Sequence, residues 1–278
     1  MTQATPAAPL RPPPGAPAAA WAAVRGVLTD IDDTLTRDGV VEPSARLALR
    51  QLADRRIPVV AITGRPMGWS EPFVRDGTLP VIVAENGAGA WYRDGEGDGA
   101  ALHEVYVQDA ATRARNAQRL RDVAAQLQRE VPGATLARDS AGRVTDIAVD
   151  HSEFTHLDAA QIGRVVAIMR GAGMTATVSS IHVNGWFGEH TKLTGARWIV
   201  QRLFGRDLDA EHAFWVYVGD STNDQEMFAH FPLSVGVANL MRFAAQLEVW
   251  PAYLTRSERG EGFAEVVAEV LKARARPR

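Results

Sequence analysis

Three aspartates, Asp30, Asp32 and Asp33, crowd into "TDIDDT" at residues 29–34, and "GDSTND" at 219–224 adds Asp220 and Asp224. Each group follows a run of apolar residues. Side chains two apart on an extended backbone point the same way, so Asp30 and Asp32 can approach one point if extension persists past residue 30. Two carboxylates that close repel unless a cation sits among them. A site with few protein oxygens, leaving room for water and a substrate phosphate, suits Mg²⁺. Taken alone, the first cluster reads as a turn whose acids cap the next helix, and the second as a helix start that its dipole favours. Together, each closing a buried strand, they favour one shared cation.

Other strand ends carry groups that suit an anion. Thr63 in "AITGRP" offers a hydroxyl, and Gly64 lets backbone amides come close to a phosphate. Lys192 in "GEHTKLTGA" opens a helical pattern, and an ammonium beside a phosphate offsets charge as it develops. Glu85 or Asn86 closes a further apolar run. Competing devices are missing: there is no GxxxxGK[ST], "NGAGAWY" lacks the third glycine of a dinucleotide loop, and Thr34 and Leu35 break an EF-hand pattern. With no cysteine, disulfides, thiolate catalysis and sulfur-bound zinc are excluded. His151 and His156 read as surface or cap residues.

The positioning elements follow from the rhythm of the chain. Apolar runs at 26–30, 57–63, 80–86, 214–220 and 233–237 alternate with helical patterns such as "SARLALRQLADRR", for which Ser44 is a plausible N-cap. That rhythm predicts an α/β, Rossmann-like, doubly wound parallel sheet, whose ligands sit beyond the carboxyl ends of its strands. The middle differs. A loop rich in glycine and charge, exposed at 93–99, precedes a polar helix at about 109–130, a hairpin in "TLARDSAGRVTDIAVD", a helix in "LDAAQIGRVVAIMRGAG" and one or two returning strands. This is an inserted α+β unit, placed at 88–184, between core segments 23–87 and 185–274. Residues 1–22, rich in alanine and proline, read as a disordered tail.

A formal charge of -3 and 46% hydrophobic residues suggest a core-forming protein with no basic face for nucleic acid. No stretch reaches the roughly 18 apolar residues of a membrane helix. A cytoplasmic protein with a small-molecule partner is expected.

In this order the residues resemble the motifs of haloacid dehalogenase superfamily phosphohydrolases: "DIDDT" at 30–34, "ITGR" at 62–65, Lys192, and "GDSTND" at 219–224. The resemblance spans about residues 25–272, and the large insert between the second and third motifs is similar to the subgroup with sucrose-phosphate and mannosyl-3-phosphoglycerate phosphatases. It implies Asp30 as nucleophile, Asp32 as acid and base, and Thr63, Gly64, Lys192 and Asn223 as phosphate-binding groups. Mg²⁺ would be held by Asp30, the backbone carbonyl of Asp32 and Asp220, with Asp224 a ligand, directly or through water, or an outer acceptor. The insert would cover the site and select the leaving group through Arg138, Arg143, Ser180, His182 and Asn184. Asp33 departs from the pattern, since many members have glycine there. The implied activity is phosphatase action on a small phosphate ester such as a sugar phosphate. The alternatives are a sugar phosphomutase and a non-catalytic sugar-phosphate sensor.

Overall fold

The computed structural model describes residues 18–95 and 99–275, in two compact units. The first takes in 18–62, 77–81 and 196–275; the second takes in 63–76, 82–95 and 99–195.

In the first unit, strands Gly26–Thr29, Val59–Ile62, Trp215–Gly219 and Leu233–Gly236 are buried along their whole length. Such strands read as continuous apolar runs because a parallel sheet is covered on both faces. Gly26–Thr29 lies between Val59–Ile62 and Trp215–Gly219, with Leu28 beside both Val60 and Tyr217; Leu233–Gly236 and Tyr253–Leu254 continue the sheet beyond Trp215–Gly219. All pairings are parallel, so the carboxyl ends emerge on one edge. Helix Pro43–Asp54 buries Ala45, Ala48, Leu49 and Leu52 and packs against Arg259–Ala275. Its N-cap is Glu42, not Ser44, because Pro43 takes the first helical position, where a missing N–H leaves nothing unsatisfied.

The expectation of a disordered tail over 1–22 needs correction where the chain is described. Residues Ala18–Ala22 form a helix, and Trp21 is 1% exposed with its ring 5.7 Å from that of Tyr253. An indole buries enough apolar area to hold a short segment in place. Residues 1–17 lie outside the described residues.

In the second unit, strands Thr175–Val178, His182–Trp186, Asp146–Asp150 and Thr135–Leu136 form an antiparallel sheet in that order. The last two are the expected hairpin. Helices Ala110–Glu130 and Ala159–Gly171 supply Leu120, Leu127, Val165 and Met169 to one apolar core with Val149 and Val183. The stretch read as a loop rich in glycine and charge also contains an antiparallel pair, Gly89–Asp94 with Ala101–Tyr106. Of the segment expected to be an exposed loop, 96–98 lie outside the described residues. His151, expected at the surface or as a cap, is 7% exposed, its Nε2 3.0 Å from the Ser179 carbonyl. Strand Val81–Ala84 and helix Lys192–Phe204 run across the borders between the units.

Candidate functional site

Asp30 and Asp220 each stand directly after a strand of the first unit. Those strands are neighbours, with Thr29 opposite Val218, and the Asp30 N–H donates to the Val218 carbonyl at 2.8 Å. The two acids therefore leave the sheet side by side. Asp224 returns to them through the turn Thr222–Asp224, which a reciprocal capping box between Ser221 and Asp224 holds closed. Carboxylate oxygens of Asp30, Asp220 and Asp224 lie within 4.8 Å of one another, and the three residues are 5%, 1% and 0% exposed. Three buried anionic oxygens at that spacing are a fitting donor set for a hard divalent cation. The Asp32 carboxylate is not in this group, and the residue is half-buried.

Asp224 is held firmly. Its Oδ2 accepts from the backbone N–H groups of Asp220 at 2.9 Å and Ser221 at 3.0 Å, and its Oδ1 accepts from the Tyr217 hydroxyl. Burial, then the Asp224 charge, pushes the Tyr217 phenol well above its ordinary range, so it remains a donor. Gly219 is required for this approach: a Cβ there would lie 2.5 Å from Asp224 Oδ2.

The departure at position 33 has a structural answer. Asp33 sits at φ 53°, in the left-handed region that glycine enters freely and aspartate tolerates. Its carboxylate accepts from Arg259 Nε at 2.7 Å. Its carbonyl accepts from Asn239 Nδ2 at 2.9 Å, and the same amide reaches Asp220 Oδ2 at 3.3 Å. The Arg259 N–H donates to Asn239 Oδ1 at 2.9 Å, closing a ring around the first acidic loop. Asn223 lies within the turn Thr222–Asp224, its Oδ1 accepting from Ser221 Oγ at 2.9 Å.

In the second unit, the Thr63 N–H bonds the Val83 carbonyl at 2.9 Å, and the Thr63 carbonyl accepts from Asn86 N–H at 3.0 Å. Thr63 Oγ1 accepts from the Arg65 N–H at 3.0 Å. Lys192, 3% exposed, is the first residue of its helix, and the hydroxyls of Thr191 and Thr194 bond each other's backbone N–H groups. Gly87, at φ 107°, passes so close that a Cβ would sit 2.1 Å from the Thr191 carbonyl. Glu85 Oε1 accepts from the N–H groups of Met67 at 3.1 Å and Val144 at 2.9 Å, and its Oε2 from the N–H and hydroxyl of Thr145. Burial first, then the Asp146 charge, raises its carboxyl to about 7.

The insert residues expected to select a leaving group divide into two sets. Arg138 is exposed and covers the Phe154 ring at 3.8 Å, and the Ser180 carbonyl accepts from Ser152 Oγ at 2.8 Å. Arg143, His182 and Asn184 are drawn into a buried network. Arg143 pairs with Asp146 at 2.8 Å and Asp139 at 3.2 Å; Arg65 pairs with Asp139 at 3.0 Å and Glu153 at 2.8 Å; His182 Nε2 lies 3.0 Å from Glu153. Burial pushes the Glu153 carboxyl up, but hydrogen bonds from His182 and Arg65 prevail and hold it at about 2.

Sequence reasoning missed Tyr217, Asn239, Arg259, Arg65, Asp139, Asp146 and Glu153. A signal existed for two of them. A tyrosine inside an otherwise apolar buried strand needs a partner for its hydroxyl, and Asp146 is an acid in a strand whose next alternate residue is Ala148.

Residues 27–129 match the model of the haloacid dehalogenase-like hydrolase family. A search of curated protein sequences finds no match. Among solved structures, the chain is similar to a protein of Thermoplasma acidophilum, with TM-score 0.65 and 13% identity over 89% of this chain and 98% of that one. It is also similar to the sucrose-phosphatase of Synechocystis sp. PCC6803 in complex with sucrose and phosphate, with TM-score 0.62 and 16% identity over 89% and 98%. A trehalose-6-phosphate phosphatase related protein aligns with TM-score 0.56 and 14% identity over 90% and 99%.

Proposed function

We propose, from the premise that this chain is a haloacid dehalogenase-like hydrolase, that it is an Mg²⁺-dependent phosphatase acting on a small phosphate monoester, with sugar phosphates the favoured class. The observation that carries the reading is the meeting of Asp30, Asp220 and Asp224 within 4.8 Å. Similarity to a sucrose-phosphatase and to a trehalose-6-phosphate phosphatase related protein supports the sugar-phosphate class.

Mg²⁺, when bound, screens the charge of the acids and polarises a phosphoryl oxygen. Asp30 and Asp220 would hold it with the backbone carbonyl of Asp32. Asp224, the third member of the donor set, also accepts from Asp220 N–H, Ser221 N–H and Tyr217, and so fixes the backbone from which Asp220 projects. The Asp30 carboxylate attacks phosphorus as the bond to the leaving oxygen breaks, and Asp32 gives that oxygen its proton. Asp32, now a carboxylate, takes a proton from water as the water attacks the aspartyl-phosphate, releasing inorganic phosphate and restoring Asp30. The Thr63 hydroxyl, the Gly64 peptide, Lys192 and Asn223 are assigned to the phosphoryl oxygens by their motifs. Residues 88–184 are assigned to cover the substrate, with Arg138 and Ser180 as the insert candidates outside the buried network.

The test is phosphate release from p-nitrophenyl phosphate and a panel of sugar phosphates, with and without chelator. Release that depends on the divalent ion supports the reading. Isomerisation of a sugar phosphate without release would replace it with a phosphomutase.

A further inference from the structure

We infer that Arg143 and Asn184 are positioning residues that aim the Thr63 hydroxyl at the phosphoryl group by fixing the Gly64 carbonyl, and do not select the leaving group. The inference rests on the phosphate-binding role proposed for Thr63 and Gly64.

The Gly64 carbonyl accepts from two side chains at once, Arg143 Nη1 at 3.0 Å and Asn184 Nδ2 at 3.2 Å. Both donors share one acid. Arg143 Nη1 reaches Asp146 Oδ1 at 2.9 Å and Oδ2 at 2.8 Å, and Asn184 Nδ2 reaches Asp146 Oδ2 at 3.0 Å. Arg143 Nη2 also donates to Asp139 Oδ1 at 3.2 Å, whose other oxygen takes Arg65 Nη1 at 3.0 Å. The Arg143 and Asp146 side chains are 2% and 0% exposed, and Asn184 is 1% exposed. Both Nη atoms of this enclosed fork are committed to Gly64, Asp146 and Asp139, while its buried Nε has no partner among the described residues. The work of the fork is done on the peptide it touches.

The peptide joining residues 64 and 65 is planar, with its C=O and N–H on opposite sides. Pinning the Gly64 carbonyl to Arg143 and Asn184 therefore turns the Arg65 N–H the other way, onto Thr63 Oγ1 at 3.0 Å. A hydroxyl that accepts on one side keeps its proton to give on another, which is what a phosphoryl oxygen needs. Glycine at 64 is part of the device, because a Cβ there would meet the side-chain amides of Asn86 and Asn184 at 3.2 and 3.3 Å.

The two roles separate in kinetics. A group that selects the leaving group changes KM for one ester and spares the others. A group that orients the phosphate-binding peptide weakens every phosphate alike, inorganic phosphate included. N184A and the charge-neutral double variant R143M/D146N are compared with wild type by competitive inhibition of p-nitrophenyl phosphate hydrolysis with inorganic phosphate. Loss of an oriented donor to a charged oxygen is expected to raise the Ki of inorganic phosphate about tenfold. kcat/KM should fall by one common factor for p-nitrophenyl phosphate and each sugar phosphate, and R143K should recover part of the loss. Variants whose phosphate Ki is unchanged, with KM raised for one sugar phosphate alone, overturn the inference and leave the phosphatase reading intact. Wild-type protein that neither releases phosphate nor is inhibited by it sinks both.

Discussion

The two units bury polar side chains by opposite arrangements. In the first, three carboxylates crowd together, and Asp224 accepts from two backbone N–H groups and a phenol. In the second, charges alternate, with Arg65 and Arg143 interleaved among Asp139, Asp146 and Glu153. Carboxylates gathered this closely form a donor set suited to a divalent cation. Opposite charges already interleaved have little left to offer a ligand, and they serve instead to fix geometry. The comparison also separates the insert candidates: Arg143 and Asn184 belong with the scaffold, whereas Arg138 and Ser180 lie outside it.

The largest expected effect comes from the crowded side. D30N should lower phosphate release by about a thousandfold or more, and unchanged turnover would break the comparison. On the interleaved side the expected effect is on stability. R143M leaves Asp146 buried without the cation it pairs with and should cost about 3–5 kcal/mol in denaturant unfolding, most of it recovered in R143M/D146N. Next, Mg²⁺ at about a hundred times its Kd should stabilise the wild type by about 2.7 kcal/mol, and D220N should lose that increment in a thermal melt.

A pH titration sharpens the contrast from within the second unit. Glu85 titrates at about 7 when folded and near 4.5 when unfolded, so the folded chain holds an extra proton between those values. Stability therefore falls as pH rises through that window, by an amount on the order of 3 kcal/mol from this residue. E85Q should reduce the slope of unfolding free energy against pH between 5 and 7. The smallest effect is a cycle at the edge of the acids. R259A should cost about 1 kcal/mol when Asp33 is present and close to nothing in a D33G background, where glycine takes the left-handed turn unaided.

The convergence of Asp30, Asp220 and Asp224 was legible because parallel strands end on one edge, so that two acids closing two buried runs have few other places to go. The hairpin over 135–150 was legible from its turn and alternation. The pair Gly89–Asp94 and Ala101–Tyr106 was not, because glycine and charge in the turn outweighed a short pattern on either side. Arg143 was read as a substrate contact because its partner at Gly64 lies 79 positions away, and nothing local marks an arginine as buried. Arg259 escaped for the same reason, 226 positions from Asp33. Long-range pairing of polar groups leaves no period in a sequence, whereas apolar burial does.

The clasp between Asp33 and Arg259 has a consequence for how the molecule is made. Its arginine opens the final helix, so a chain still being synthesised carries its acidic loop out of the ribosome long before the residue that secures it. Full assembly of the acidic centre thus waits on a segment that emerges well after it, and a product truncated before residue 259 would keep all five aspartates while lacking the clamp that steadies them.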